Sequence, residues 1–355
     1  MAPARMPVAM TPRERVIRTL SHQPVDRAPR DLWTVPDVAR HRADEVAELL
    51  RRFPLDIEKP DFKYPPGHRA TGQPYEPGVY TDAWGCTWHV SESGTMGLVC
   101  EPPLATVAEI ARYQPPRELL DGFDVDRINR GCGHSSRFVL AWTEIRPFER
   151  LQFLRGAEAA YVDLAQGAHH VRSLLGMLHD FFCRELETWA CTDVDGVEFM
   201  DDWGSQTGLL VAPELWRDLF KPLYRDYCRI LRAHDKFAFF HSDGHISDII
   251  EDLVEIGVDA VNCQLFCMDV ERLARAFRGK IVFWGEIDRQ RVLPFGDSRS
   301  VRLAVQRVRS ALDYGSGGVI AQCEWGTRVP FGNVAAVYDE WLRPLPMHVA
   351  ARNSA

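Results

Sequence analysis

His241-Ser242-Asp243 sets an imidazole and a carboxylate two residues apart, directly after the apolar run Phe237-Ala238-Phe239-Phe240. In an extended segment residues i and i+2 share a face, so both side chains can reach one substrate or one metal ion. The same order, an apolar stretch followed by groups that ionise or bind metal, recurs along the chain. It is found at Val197-Glu198-Phe199-Met200-Asp201-Asp202-Trp203-Gly204, Val261-Asn262-Cys263-Gln264, Trp284-Gly285-Glu286-Ile287-Asp288 and Ala321-Gln322-Cys323-Glu324-Trp325-Gly326. Carboxylates, an imidazole and thiols brought together make a metal site or an acid–base site. Each group also has a plainer reading. One of Asp201 and Asp202 could cap the following helix, His241 could bond backbone, and Cys263 and Cys267 could be packing thiols. Cys323, beside Glu324, stays open between ligand and core thiol. Trp203, Trp284 and Trp325 could wall a pocket for an organic substrate or pack the core.

Something must bring these distant groups together. After about residue 135, short apolar strands alternate with helical stretches, which specifies a parallel sheet. The strands expected are Arg137–Trp142, Gly196–Asp202, Phe237–Asp243, Ala260–Gln264, Ile281–Glu286 and Gly318–Glu324. Two more before residue 65, one of them near Arg27–Trp33, give the eight that close a (β/α)8 (TIM) barrel. An open doubly wound sheet is the rival, but no G-x-G-x-x-G or P-loop follows an early strand. In such a barrel the strand ends converge on one face, so Asp202, His241, Asp243, Glu286 and Cys323 are expected around one cavity. Thr11-Pro12-Arg13-Glu14 reads as a capping box opening a first helix. Gly and Pro punctuation around Tyr80–Val90 and Met96–Cys100 reads as a β-hairpin excursion within 64–103, not as a separate domain. The whole chain, 1–355, is expected to be one barrel domain, frayed at Arg352–Ala355.

The chain has 355 residues, 46% apolar and 26% charged, the balance of a globular enzyme. A net charge of -8 offers no basic excess for a nucleic-acid partner. Nine cysteines are too sparse for a disulfide scaffold. Met1–Met10 holds no signal-peptide core, and no apolar run approaches the ~18 residues of a membrane span. A cytoplasmic protein with reduced thiols is expected, with no membrane partner and with a homodimer as the oligomer to test for.

The chain resembles the uroporphyrinogen decarboxylase superfamily, (β/α)8 barrels that include zinc-dependent methyltransferases such as methylcobalamin:coenzyme M methyltransferase. The resemblance is carried by Thr11-Pro12-Arg13-Glu14-Arg15-Val16, Tyr80-Thr81-Asp82-Ala83-Trp84-Gly85, Leu154-Arg155-Gly156-Ala157-Glu158, Asp201-Asp202-Trp203-Gly204-Ser205-Gln206, His241-Ser242-Asp243-Gly244 and Ala321-Gln322-Cys323-Glu324-Trp325-Gly326. Where true decarboxylases have Arg-Gln-Ala-Gly-Arg, this chain has Arg27-Ala28-Pro29-Arg30-Asp31-Leu32-Trp33, which argues against a tetrapyrrole substrate. Where the methyltransferases hold zinc with His-x-Cys and a distant Cys, it has His241-Ser242-Asp243, with Cys323 two residues before the aligned position. The resemblance thus implies zinc on His241, Asp243 and Cys323, a nitrogen, an oxygen and a thiolate that together balance the ion. It implies a zinc-dependent methyltransferase or demethylase, with zinc activating a thiol or hydroxyl on a small organic substrate and a corrinoid protein as a partner carrying the methyl group. Asp202, Glu286 and Glu324 are the expected catalytic carboxylates, and Trp203, Gln206, Gln264 and Trp284 the expected substrate contacts. A metal-free decarboxylase and a non-catalytic barrel binding a small molecule or a corrinoid protein are the alternatives.

Overall fold

The computed structural model describes residues 10–344; Arg352–Ala355, expected to fray, lie outside them. Strands are β1 (Arg30–Thr34), β2 (Ile57–Glu58), β3 (Gly78–Thr81), β4 (Thr87–Val90), β5 (Leu98–Glu101), β6 (Phe138–Trp142), β7 (Gly196–Met200), β8 (Phe237–Ser242), β9 (Ala260–Cys263), β10 (Val282–Trp284) and β11 (Val319–Trp325). Eight of them form one parallel sheet in the order β1-β11-β10-β9-β8-β7-β6-β2, a nearly closed barrel with helices outside. No helix among the described residues is long and apolar enough to cross a membrane.

Side-chain alternation sorts the strands into two cores. Leu140, Phe239, Val282, Trp284 and Ile320 point inward, and Val16 and Leu20 of the capped helix Pro12–Leu20 join the same cluster. Neighbours one residue along, such as Val197, Phe199, Phe240, Ala321 and Cys323, pack outward against the helices. The period of two decides which residues can reach the mouth.

The seam between β1 and β2 has no ladder, because β2 is two residues long. Asp56 closes it instead. Its backbone N–H donates to Arg30 O (2.9 Å), and its fully buried carboxylate accepts from Arg30 N (2.7 Å), Arg15 Nη1 (2.5 Å) and Arg27 Nη1 (2.6 Å). Asp56→Asn keeps the shape but gives up charge-assisted bonds. It should cost about 2 kcal/mol, read as a lower urea midpoint with an unchanged m-value.

The excursion is a three-stranded antiparallel meander, β3-β4-β5, rather than the hairpin expected. The third strand forms because Trp88 and His89 pair with Val99 and Leu98 as well as with Tyr80 and Val79. Asp82 fixes the turn, accepting from Cys86 N (2.9 Å) and Trp88 Nε1 (3.0 Å). The meander packs on the helix Pro147–Arg155, where Trp88 meets Phe153 edge-on at 4.8 Å.

Candidate active site at the C-terminal mouth

Two loops build the centre. The chain leaves β7 through Asp201-Asp202-Trp203-Gly204 and β8 through Asp243-Gly244, and the loops touch backbone to backbone. Gly204 N donates to Asp243 O (3.0 Å), and a Cβ on Gly244 would lie 2.1 Å from Gly204 O. Gly244, with φ of +80°, also needs the freedom of glycine. Asp201 turns away from the mouth. It accepts from Phe148 N (2.7 Å), Glu149 N (2.8 Å) and Tyr224 Oη (2.6 Å), so of the two acids it is the one that caps a helix.

Asp202 faces the other way. Its Oδ1 accepts from Asp243 N (2.9 Å) and lies 3.6 Å from His241 Nε2, and Asp243 Oδ1 lies 3.6 Å from the same nitrogen. One ligand atom from each of Asp202, His241 and Asp243 falls within 4.8 Å of the other two. The imidazole is oriented from behind. Asn262 Nδ2 donates to Trp284 O (2.5 Å), so its Oδ1, 2.7 Å from His241 Nδ1, must accept. The proton of neutral His241 therefore sits on Nδ1, and the Nε2 lone pair points at two carboxylate oxygens. Asp243 Oδ1 is buried and has no hydrogen-bond partner. Burial works against a charge on His241, but Asp243, Asp202 and Glu198 outweigh it and raise its pKa. Trp33 packs on the ring at 5.1 Å and meets Trp284 at 5.0 Å.

Arg289 ties this cluster to a neighbouring cavity. Its guanidinium bonds Asp243 Oδ2 and Glu324 Oε2 (2.5 Å) and lies 3.5 Å from Glu286 Oε1. Despite burial, the three carboxylates Glu286, Asp243 and Glu324 raise its pKa further. The cavity, about 270 Å³, is lined by Gln206, Gln264, Cys267, Glu286, Asp288 and Arg289 among others. Burial pushes the Glu286 carboxyl up to about 8 against the pull of Arg289, so it is a neutral acid at pH 7. Glu198, deeper in the barrel, is also pushed up to about 8 by burial, and neither of its carboxylate oxygens has a partner.

The structure thus brings Asp202, His241, Asp243, Glu286, Glu324, Gln206 and Gln264 to one end of the barrel. It does not bring Cys323, Trp203 or Trp284 there as expected. Cys323 lies on the outward face of β11 between the inward Gln322 and Glu324, and burial pushes its thiol far up, so it cannot join His241 as a ligand. Trp203 is fully buried outside the barrel, stacked on Phe148 at 4.1 Å with Nε1 donating to Tyr224 Oη (3.0 Å). Trp284 fills the barrel interior below the mouth, donating to Asp31 Oδ2 (2.9 Å). Arg289 and Asn262 escaped the reading of the sequence. Asn262 was within reach of the period of two, being inward like Ala260, whereas nothing marks Arg289 in its loop.

An eight-stranded parallel barrel with ionisable side chains gathered at the C-terminal mouth is the architecture of barrel enzymes. The model of the uroporphyrinogen decarboxylase (URO-D) family matches residues 79–341, and the chain belongs to that family, a family of enzymes. Among solved structures it is similar to a methyltransferase from Methanosarcina mazei, with a TM-score of 0.69, 13% identity, and coverage of 94% of this chain and 98% of that one. At that identity the likeness shows the fold alone. A xylanase of glycoside hydrolase family 10 from Gloeophyllum trabeum, at a TM-score of 0.45 and 9% identity over 95% of this chain and all of that one, is too distant to bear on the site. No curated protein sequence matches the chain.

Proposed function

We propose that the chain is a metal-dependent methyltransferase or demethylase acting on a small organic substrate, with zinc as the first metal to test. The observation that carries this reading is the His241 lone pair aimed, with a fixed tautomer, at Asp202 and at the partnerless Asp243 Oδ1. One nitrogen and two carboxylate oxygens give a ligand charge of about -2, which suits a dication. The set is harder than the nitrogen, oxygen and sulfur set expected, since Asp202 takes the place of Cys323. A zinc ion held there would ease loss of the proton from an acceptor thiol or hydroxyl. The protein's own groups do the rest. Gln206 and Gln264 orient the substrate by hydrogen bonds, Glu286 and Glu324 move protons, and Arg289 holds Asp243 in place. A corrinoid on a partner protein is the proposed methyl carrier.

A metal-free decarboxylase is the second reading, favoured by Glu286, a neutral acid able to protonate a carbanion. Against it, Arg289 at the cavity is already engaged by the carboxylates of Asp243 and Glu324, which disfavours a polyanionic substrate.

The test is metal stoichiometry after equal zinc loading. Wild type and Cys323→Ser should each hold about one zinc, while His241→Ala and Asp243→Asn should lose it. Equal stoichiometry in all four proteins would remove the cluster as a metal site, and turnover indifferent to a strong chelator would move the assignment to decarboxylation.

A further inference from the structure

A second and larger cavity lies between the meander and the chain leaving β6. It encloses about 480 Å³, within the ~300–1,000 Å³ range of small-molecule pockets. Its apolar walls are aromatic: Tyr75, Tyr80, Trp88 and Phe153. Tyr80 and Trp88 are cross-strand partners with rings 5° from parallel, and Phe153 closes on Trp88. Tyr75, at the rim, is held at φ +65° with its carbonyl accepting from Gly94 N (2.8 Å). A bulky side chain in that conformation is uncommon and costs free energy, and such residues cluster at ligand clamps.

The charged lining is two guanidiniums and two carboxylates, Arg146, Arg150, Asp82 and Glu144, with Thr71, Gln73 and Thr81 as neutral polar neighbours. Arg150, almost fully buried, is engaged. It reaches Glu144 (3.0 Å) and Asp82 (3.4 Å) and lies over the Trp84 ring at 4.4 Å. Arg146 is different. Its direct ionic contact is Glu149 at 4.0 Å, too long for a hydrogen bond, and its guanidinium, part of the cleft wall, makes no hydrogen bond among the described residues, whereas Arg150 leaves only its Nε unpaired. A guanidinium in a cavity wall with its donors left open calls for an acceptor. A ligand carboxylate would face Asp82 and Glu144, and a ligand ammonium would face two guanidiniums, so both charges are disfavoured. What remains is a neutral acceptor on a flat ring. Arg146 also joins the cleft to the catalytic cluster. Burial opposes its charge, but Glu149, Glu144, Asp201 and Asp202 raise its pKa, which places Asp202 within its field.

We propose that this cleft binds an uncharged aromatic molecule whose hydroxyl or carbonyl oxygen accepts from Arg146, forming a ligand subsite beside the catalytic mouth. It rests on the mouth being the reacting end, as in the proposed function, but not on a metal.

Calorimetric titration of chelator-treated full-length protein with 2-naphthol, 2-naphthoate and 2-naphthylmethylamine tests it without turnover, so failure of the metal reading leaves the result intact. 2-Naphthol should bind about tenfold tighter than either charged analogue, and Arg146→Met should weaken it about tenfold. Tyr75→Ala, at the exposed rim where folding is not at stake, should weaken it severalfold. Gln264→Ala, in the other cavity, should leave it unchanged. Should Arg146→Met fail to fold, Arg146→Lys, which keeps the charge but lacks the planar fork of guanidinium donors, should show an intermediate loss. Unchanged 2-naphthol affinity in the Arg146 variant, tightest binding by a charged analogue, or a loss in Gln264→Ala without one in Tyr75→Ala would each overturn the assignment.

Discussion

Arg289→Met should lower the stability of the folded protein by about 3–5 kcal/mol at pH 8, the cost of leaving buried carboxylates without their cation. Asp243, Glu286 and Glu324 all converge on this guanidinium, and each is less than a third exposed. The loss should shrink at pH 5. Removing Arg289 takes away the attraction that favours the ionised Glu286 carboxyl, so its pKa, already raised by burial, rises further in the variant. A carboxyl raised in the folded state is protonated at low pH, where it carries no charge needing a partner, and it destabilises the fold as pH rises through the shifted value. Urea denaturation at pH 5 and pH 8 reads this directly. Equal losses at the two pH values would mean that Arg289 acts by packing rather than by charge.

The barrel was legible because βα alternation survives in local patterning, and the polar residues after each strand marked the mouth. Which face a strand residue takes was harder. Cys323 and Gln322 are neighbours in a strand buried on both faces except at Glu324, and with both faces covered the period of two leaves little contrast to read. Trp203 and Trp284 misled for the same reason, since a tryptophan at a strand end packs outward or inward according to its register. Two features depend wholly on tertiary contacts. The barrel seam is carried by a two-residue strand and by Asp56, which the guanidiniums of Arg15 and Arg27 and the backbone amide of Arg30 select from among the chain's many acids. Arg289 sits in a loop whose partners come from the ends of three strands, β8, β10 and β11, and no spacing in the chain announces that meeting.

If Glu286 is the proton donor of the proposed reaction, turnover should be level below about pH 8 and fall above it, because only the protonated carboxyl can donate. Glu286→Gln should lower kcat by about 10²–10⁴-fold and abolish that alkaline limb. Two other effects share the pH window and must be separated. Glu198 is raised to about the same value, but it lies deeper and does not line the cavity, so Glu198→Gln should keep the limb. Stability also drifts in this range. Both carboxyls hold protons in the folded state that they would release on unfolding once the pH exceeds the unfolded carboxyl value. Stability therefore falls with rising pH up to about 8, by as much as ~1.4 kcal/mol per pH unit for each group. Either glutamine variant should flatten that slope, whereas only Glu286→Gln should remove the kinetic limb. A limb that persists in Glu286→Gln, or vanishes in Glu198→Gln, would assign the proton to another group.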